Sequence, residues 1–171
     1  MIASLLLPAV VESRAGEIQV RRATHDDLDA VVELLRDDEI SQARADGTDS
    51  AQRADYERAF AEIVEDARND LLVAVESGGE VVGTLQLTSL PGMSREGATR
   101  LLVEAVRVSP DRRSAGIGSA LIRWVTGVAA RAIGASLVQL TSDSSRADAR
   151  RFYLRLGFAD SHVGFKYIGP A

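Results

Sequence analysis

The stretch richest in chemical possibility runs Val106-Arg107-Val108-Ser109-Pro110-Asp111-Arg112-Arg113-Ser114-Ala115-Gly116-Ile117-Gly118. It reads as a strand halted by a proline, a polar turn, and a helix that opens with two glycines around one apolar residue. Backbone N–H groups in such a turn and in a first helical turn have no intrahelical acceptor, and with the helix dipole they form an anion cradle. Glycine suits the place because a phosphate must approach the backbone closely, where a β-carbon would stand in the way. Arg112 and Arg113 would add charge-assisted contacts to the same anion. The same residues also describe a plain strand-to-helix turn with solvated arginines, so this block alone does not decide between the two. Its rivals fail on detail. No G-x-G-x-x-G follows an early strand, and the Gly-Lys-Ser/Thr of a P-loop occurs nowhere.

Other chemistries are excluded by what the chain lacks. There is no cysteine, hence no thiol nucleophile, thiolate metal site or disulfide. The two histidines, His25 and His162, would furnish a zinc site poorly, so no metal is expected. A formal charge of −5 and a pI near 5.1 give no basic footprint for nucleic acid or an anionic membrane. A small-molecule or peptide partner is the reading that remains.

The elements that must position these groups fit one domain of 171 residues. Residues 1–16 carry an apolar run from Leu5 to Val11, interrupted by Pro8. It is too short to span a bilayer and has no basic stretch before it, so it reads as neither signal peptide nor anchor, and a cytoplasmic location follows by default. We expect residues 1–16 to be a flexible extension and 17–171 a single domain. Ile18 to Arg22 alternate as a half-buried strand. Thr24, followed three residues later by Asp27, opens a helix with Leu28, Val31, Val32 and Leu35 on its apolar face. Asp37 to Ser50 reads as an acidic loop, and Tyr56, Phe60, Ile63 and Val64 mark a second helix. Leu71–Val75 and Val81–Leu87 form a hairpin through Ser77-Gly78-Gly79, and a longer strand covers Leu101 to Val108. A third helix runs from about Gly116 to Ile133, with Trp124 on its core stripe. A strand from Leu137 to Thr141, a fourth helix from Arg146 to Leu156 and a last strand around His162 to Ile168 complete a mixed sheet with helices packed on it.

The segment Arg113 to Gly118 spells R-x-x-G-x-G after a strand ending V-x-V, and it resembles the acetyl-CoA pyrophosphate loop of the GNAT superfamily of N-acetyltransferases. A second block, Arg146 to Phe158 with Ala149, Phe152, Tyr153, Gly157 and Phe158, is similar to that superfamily's late A-x-x-x-Y-x-x-x-G-F helix. Both stand in the expected order, and the resemblance spans Ile18 to Tyr167. It implies an α/β (α+β) fold with a mixed, mostly antiparallel twisted sheet, helices on both faces and a splayed central strand pair.

The resemblance further implies an acetyl-CoA-dependent N-acetyltransferase in which a primary amine of a small metabolite, peptide or protein attacks the thioester directly. A non-catalytic acyl-CoA-binding or sensing module is the alternative. The pantetheine arm would pair with Val106, Arg107 and Val108 beside a β-bulge near Val106 and Arg107, and the pyrophosphate would rest on the amides of Arg113, Ser114, Ala115, Gly116, Ile117, Gly118 and Ser119. Arg146 stands where many members carry asparagine. Ser145, with Ser142, Asp143 and Ser144, could replace that contact, or Ser145 could cap the helix. Glu104 is the candidate base for the incoming ammonium; it lies on an otherwise apolar strand, whose surroundings would disfavour its charge, or else it faces solvent or pairs with Arg107. Tyr153 would protonate the departing thiolate. The acidic segment between Asp37 and Asp55 would wall the acceptor site, and a homodimer is expected from kinship.

Overall fold

The computed structural model describes residues 2–37 and 50–169, so most of the expected acidic loop lies outside the described residues. The chain enters through β1 (Ala9–Ser13) and β2 (Gly16–Arg22), then α1 (Leu28–Arg36) and α2 (Ser50–Glu65). β3 (Asn69–Val75), β4 (Val81–Leu90) and β5 (Arg100–Val108) follow. The helix α3 comprises Ile117–Trp124, a π-helical turn Val125–Ala129 and a last turn Ala130–Ala132; β6 (Leu137–Leu140) and α4 (Ala147–Arg155) come last. The strands form one sheet in the order β1-β2-β3-β4-β5-β6, antiparallel throughout except for the parallel pair β5/β6.

Each face of the sheet has its own core, because side chains alternate across a strand. On β3, Leu72 and Ala74 join Ile18, Val20, Ile117, Leu121 and Trp124 on the α3 face. Leu71, Val73 and Val75 join Val31, Val32 and Phe60 beneath α1 and α2. The entry to α1 is fixed as the sequence predicts: the Asp27 carboxylate accepts the Thr24 N–H at 2.7 Å and its hydroxyl at 2.9 Å. Arg21 forks onto the same carboxylate at 2.6 and 2.8 Å. That hydrogen-bonded guanidinium, with the Thr24 contacts, outweighs burial and holds the Asp27 carboxyl down at about 2.

Two expectations fail at the ends of the chain. Residues 2–16 do not fray: β1 pairs with β2 from Ala9↔Val20 to Ser13↔Gly16, and Ile2, Leu5 and Val11 are buried in the α3-side core. The apolar run gives Leu5 and Val11 to the core and packs Leu7 and Ala9 against it, while Leu6 and Val10 are exposed, and Pro8 directly precedes β1. At the other end, no strand forms around His162 to Ile168. Residues 159–169 have no regular structure, and Val163, Phe165, Tyr167 and Ile168 are exposed. The alternating pattern there is a strand signal, yet no edge within the described residues pairs with it. Among the described residues no strand lies beyond β6, so the β5/β6 pair stands at the end of the sheet. Trp124 is buried, as its place on the core stripe predicts, and His25 and His162 are exposed.

Candidate active site

The site starts from an irregularity in β5. Thr84 pairs with Arg107 and Gln86 with Glu104, so Ala105 and Val106 together oppose Leu85 alone. Ala105 takes φ +52°, a left-handed turn that accommodates the extra residue. The bulge thus falls one residue earlier than the Val106–Arg107 expected. Gly83 faces it across the ladder, where a β-carbon would come within 2.9 Å of the Arg107 carbonyl oxygen. On the other side, pairing with β6 ends at Val103↔Leu140, while β5 runs on to Val108. From Glu104 onward β5 has no strand partner on that side, because β6 ends at Leu140, and the splay that the sequence resemblance implies would begin here. Within it Arg107 donates from Nη1 to the Val106 carbonyl at 3.0 Å.

Beyond Val108 the chain turns through Pro110–Arg112 into α3. The Arg113 N–H is bonded to the Pro110 carbonyl at 3.1 Å and the Ala115 N–H to that of Arg112 at 3.3 Å, so these two amides, expected in the cradle, are already used by the turn. Ser114 (φ +63°) and Gly116 (φ +86°) are left-handed and swing the chain into the helix, whose first bond runs from the Ala120 N–H to the Gly116 carbonyl. The N–H groups of Gly116, Ile117, Gly118 and Ser119 have no acceptor among the described residues. Four consecutive donors at the positive end of a helix are what an anion needs.

The arginines expected to assist are turned elsewhere. Arg112 reaches the β3–β4 hairpin, binding Glu76 at 2.8 Å and Glu80 at 3.5 Å, and Arg113 binds Asp37 at 2.5 Å. Carboxylates within reach outcompete solvent for a guanidinium. The residue that does meet the loop is Arg14, in the β1–β2 turn: its Nη2 donates to the Ser114 carbonyl at 2.6 Å, and the Ala15 N–H bonds the Ala115 carbonyl at 3.1 Å. The sequence reading missed it, because an arginine in a two-residue turn gives no local sign of a contact one hundred residues away.

Tyr153 sits half-buried on α4, edge-on to Phe152 at 5.0 Å and Phe158 at 5.6 Å. Burial raises its phenol above the ordinary tyrosine value, with the positive charges of Arg107 and Arg146 pulling less strongly the other way. A phenol in this setting keeps its proton at neutral pH. α4, β5 and α3 converge at Gly118, where a β-carbon would lie 3.5 Å from the Phe152 ring and 3.6 Å from Val108. The two sequence blocks, which are distant in the chain, thus meet at Gly118. Glu104 is exposed, not enclosed in apolar surroundings, and it has no hydrogen bond or ion pair among the described residues, so the expected alternative pairing with Arg107 is absent. Ser145 does not cap α4. The N-cap is Arg146, and the Ser145 hydroxyl and N–H both bind the Asp143 carboxylate, at 2.7 and 3.0 Å. Among the described residues no group of three or more His, Cys, Asp or Glu side chains is placed to hold a metal.

An amide cradle thus follows a bulged strand whose end is unpaired on one side. Residues 28–158 match the model of the acetyltransferase (GNAT) family, and the chain belongs to it. It is 34% identical over 151 residues to the aminoalkylphosphonate N-acetyltransferase of Salmonella typhimurium, covering 86% of this chain and 88% of that one. A Bacillus halodurans protein described as a transcriptional regulator superposes with a TM-score of 0.83 at 40% identity, over 89% of this chain and 99% of the other. AAC(6')-Iy bound to a bisubstrate CoA analogue shares the fold, with a TM-score of 0.68 at 17% identity over 90% and 99% of the two chains. The protein is an acyltransferase that moves an acetyl group to an amine, in a family that uses acetyl-CoA.

Proposed function

We propose that this chain acetylates the primary amine of a small cytoplasmic metabolite, taking the acetyl group from acetyl-CoA, with a peptide amine as the other acceptor class. The observation that carries the cofactor assignment is the run of four acceptor-less N–H groups from Gly116 to Ser119 at the end of the open β5 edge. Those amides hold the pyrophosphate, with Ser114 and Ala115 shaping the loop, and Val106 to Val108 lie along the pantetheine arm. Acetyl-CoA supplies an activated thioester. Glu104, exposed and unpaired at the mouth of the splay, takes a proton from the incoming ammonium directly or through water, so that the free amine can attack. Tyr153 gives its proton to the sulfur as the carbon–sulfur bond breaks, and burial suits it to that task by keeping it neutral. Holding both reactants against one strand edge supplies the proximity.

The 34% relative is named for aminoalkylphosphonates, which makes small zwitterionic amines with a phosphonate group the acceptors to screen first. Thiol release from acetyl-CoA over a panel of such amines, with polyamines, amino sugars and lysine peptides for comparison, tests the reading. Turnover of no amine in the panel would overturn it. The exposed Val163, Phe165, Tyr167 and Ile168, and a β6 edge that has no partner among the described residues, support a homodimer. Sedimentation of the full chain checks that, since a monomer at micromolar concentration would refute it. No helix among the described residues is long and apolar enough to cross a membrane.

A further inference from the structure

The turn between β1 and β2 lies outside the residues that match the family model, yet it walls a cavity of about 570 Å³ with the start of α3 and the end of α4. Glu12, Arg14, Gly116, Ser119, Arg123 and Arg155 line it. Three guanidinium groups face one carboxylate there, in a chain whose net charge is −5. Eight arginines elsewhere, Arg21, Arg22, Arg53, Arg58, Arg112, Arg113, Arg150 and Arg151, each hold a carboxylate. Arg123 and Arg155 have no hydrogen bond or ion pair among the described residues. Gathering like charges in one concavity is unfavourable unless an anion answers them.

Helix geometry indicates which anion. Arg123 follows Ser119 by four residues and so lies one turn further along the same face of α3, roughly 6 Å along the axis from the last free amide. The site therefore offers two anion positions in series: neutral N–H donors from Gly116 to Ser119, then a guanidinium cluster. A ligand that fills both carries a diphosphate and, a few ångströms away, a separate phosphate dianion. Coenzyme A has that pattern, with its diphosphate on one ribose oxygen and a phosphomonoester on the 3′ oxygen. Arg14 keeps most of its five N–H donors after the bond to Ser114, and it can bridge the loop and the second anion.

We propose that this cavity binds the 3′-phosphate of coenzyme A through Arg14, Arg123 and Arg155, so that the N-terminal hairpin makes the protein selective for coenzyme A over its dephospho form. The proposal rests on the cofactor reading above. The test is calorimetric titration of the full chain with acetyl-CoA and with acetyl-3′-dephospho-CoA, repeated for Arg123→Ala, Arg155→Ala and the charge-conserving Arg123→Lys. Wild type is expected to prefer the phosphorylated cofactor about tenfold or more. Each alanine variant should lower acetyl-CoA affinity severalfold and leave dephospho affinity unchanged, and Arg123→Lys should retain part of the preference. Both arginines are exposed, and unchanged melting temperatures would show that the variants are folded. Equal wild-type affinity for the two cofactors overturns this inference alone, as does an alanine variant that weakens both alike. Failure of wild type to bind either one overturns the cofactor reading and this inference with it.

Discussion

The glycines Gly116 and Gly118 belong to one motif, yet the structure assigns them opposite responses to the same substitution. Gly116 has φ +86° and ψ −3°, and a β-carbon there would stand 3.1 Å from the Arg14 backbone nitrogen and 3.3 Å from its Cγ. Alanine at this position meets a left-handed backbone cost of about 1–2 kcal/mol and pushes against the β1–β2 turn as well. A total near 2 kcal/mol corresponds to a fall in melting temperature of about 4–8 °C for a chain of this size. Gly118 is in the helix proper, and its β-carbon would make ordinary contact with Phe152 and Val108 at 3.5 and 3.6 Å. Alanine there removes unfolded-state freedom and should stabilise by about 0.5 kcal/mol. Binding follows the same division. Gly116→Ala re-aims the amides of the cradle and should weaken acetyl-CoA about tenfold, whereas Gly118→Ala leaves every N–H in place and should stay within about twofold. Thermal melts and calorimetry on the two variants read both quantities. Equal melting temperatures, or unchanged affinity in Gly116→Ala, would refute the assignment of the loop.

Three further outcomes are expected. Tyr153→Phe should lower kcat about a hundredfold with acetyl-CoA affinity unchanged, the scale of a lost general acid. Because burial raises the phenol, the wild-type rate should not decline through the ordinary tyrosine range near pH 10 from loss of this proton; a fall centred below pH 10 that disappears in Tyr153→Phe would contradict that. Glu104→Gln should lower kcat/KM at least tenfold at neutral pH and recover as alkali frees the amine, and a pH-independent loss would remove Glu104 as the base. Asp27, held at about 2 in the fold against 3.8 unfolded, contributes about 2 kcal/mol that is fully present above pH 4 and lost as pH falls through 2. In Asp27→Asn the stability lost between pH 4 and pH 2 should be smaller by that amount, as urea titrations across that window would show.

The sequence by itself determined what rests on local pattern. The strand, turn and helix that form the cradle, the Thr24–Asp27 start of α1, the glycine hairpin at Gly79 and the helix stop at Gly157 all follow from hydrophobic period, capping chemistry and positive φ, which neighbouring residues dictate. The bulge in β5 is legible to within one residue only through the GNAT resemblance. Partner choice was not legible. Whether Arg112 and Arg113 meet an anion or a carboxylate depends on Glu76 and Asp37, which other elements bring to them. Glu104 reads as enclosed because its strand neighbours are apolar, but side chains alternate across a sheet, and its face at the splay is open. Residues 1–16 read as an extension because a short apolar run with a proline has no local requirement for a partner; pairing with β2 and burial in the α3-side core supply one. The pattern from His162 to Ile168 failed in the opposite sense, with a strand signal and no edge to receive it. Arg14 lies close to the cradle only because that pairing carries the β1–β2 turn onto the loop. Long-range position is set by which faces can be buried together, and a sequence window records only that a face needs burial.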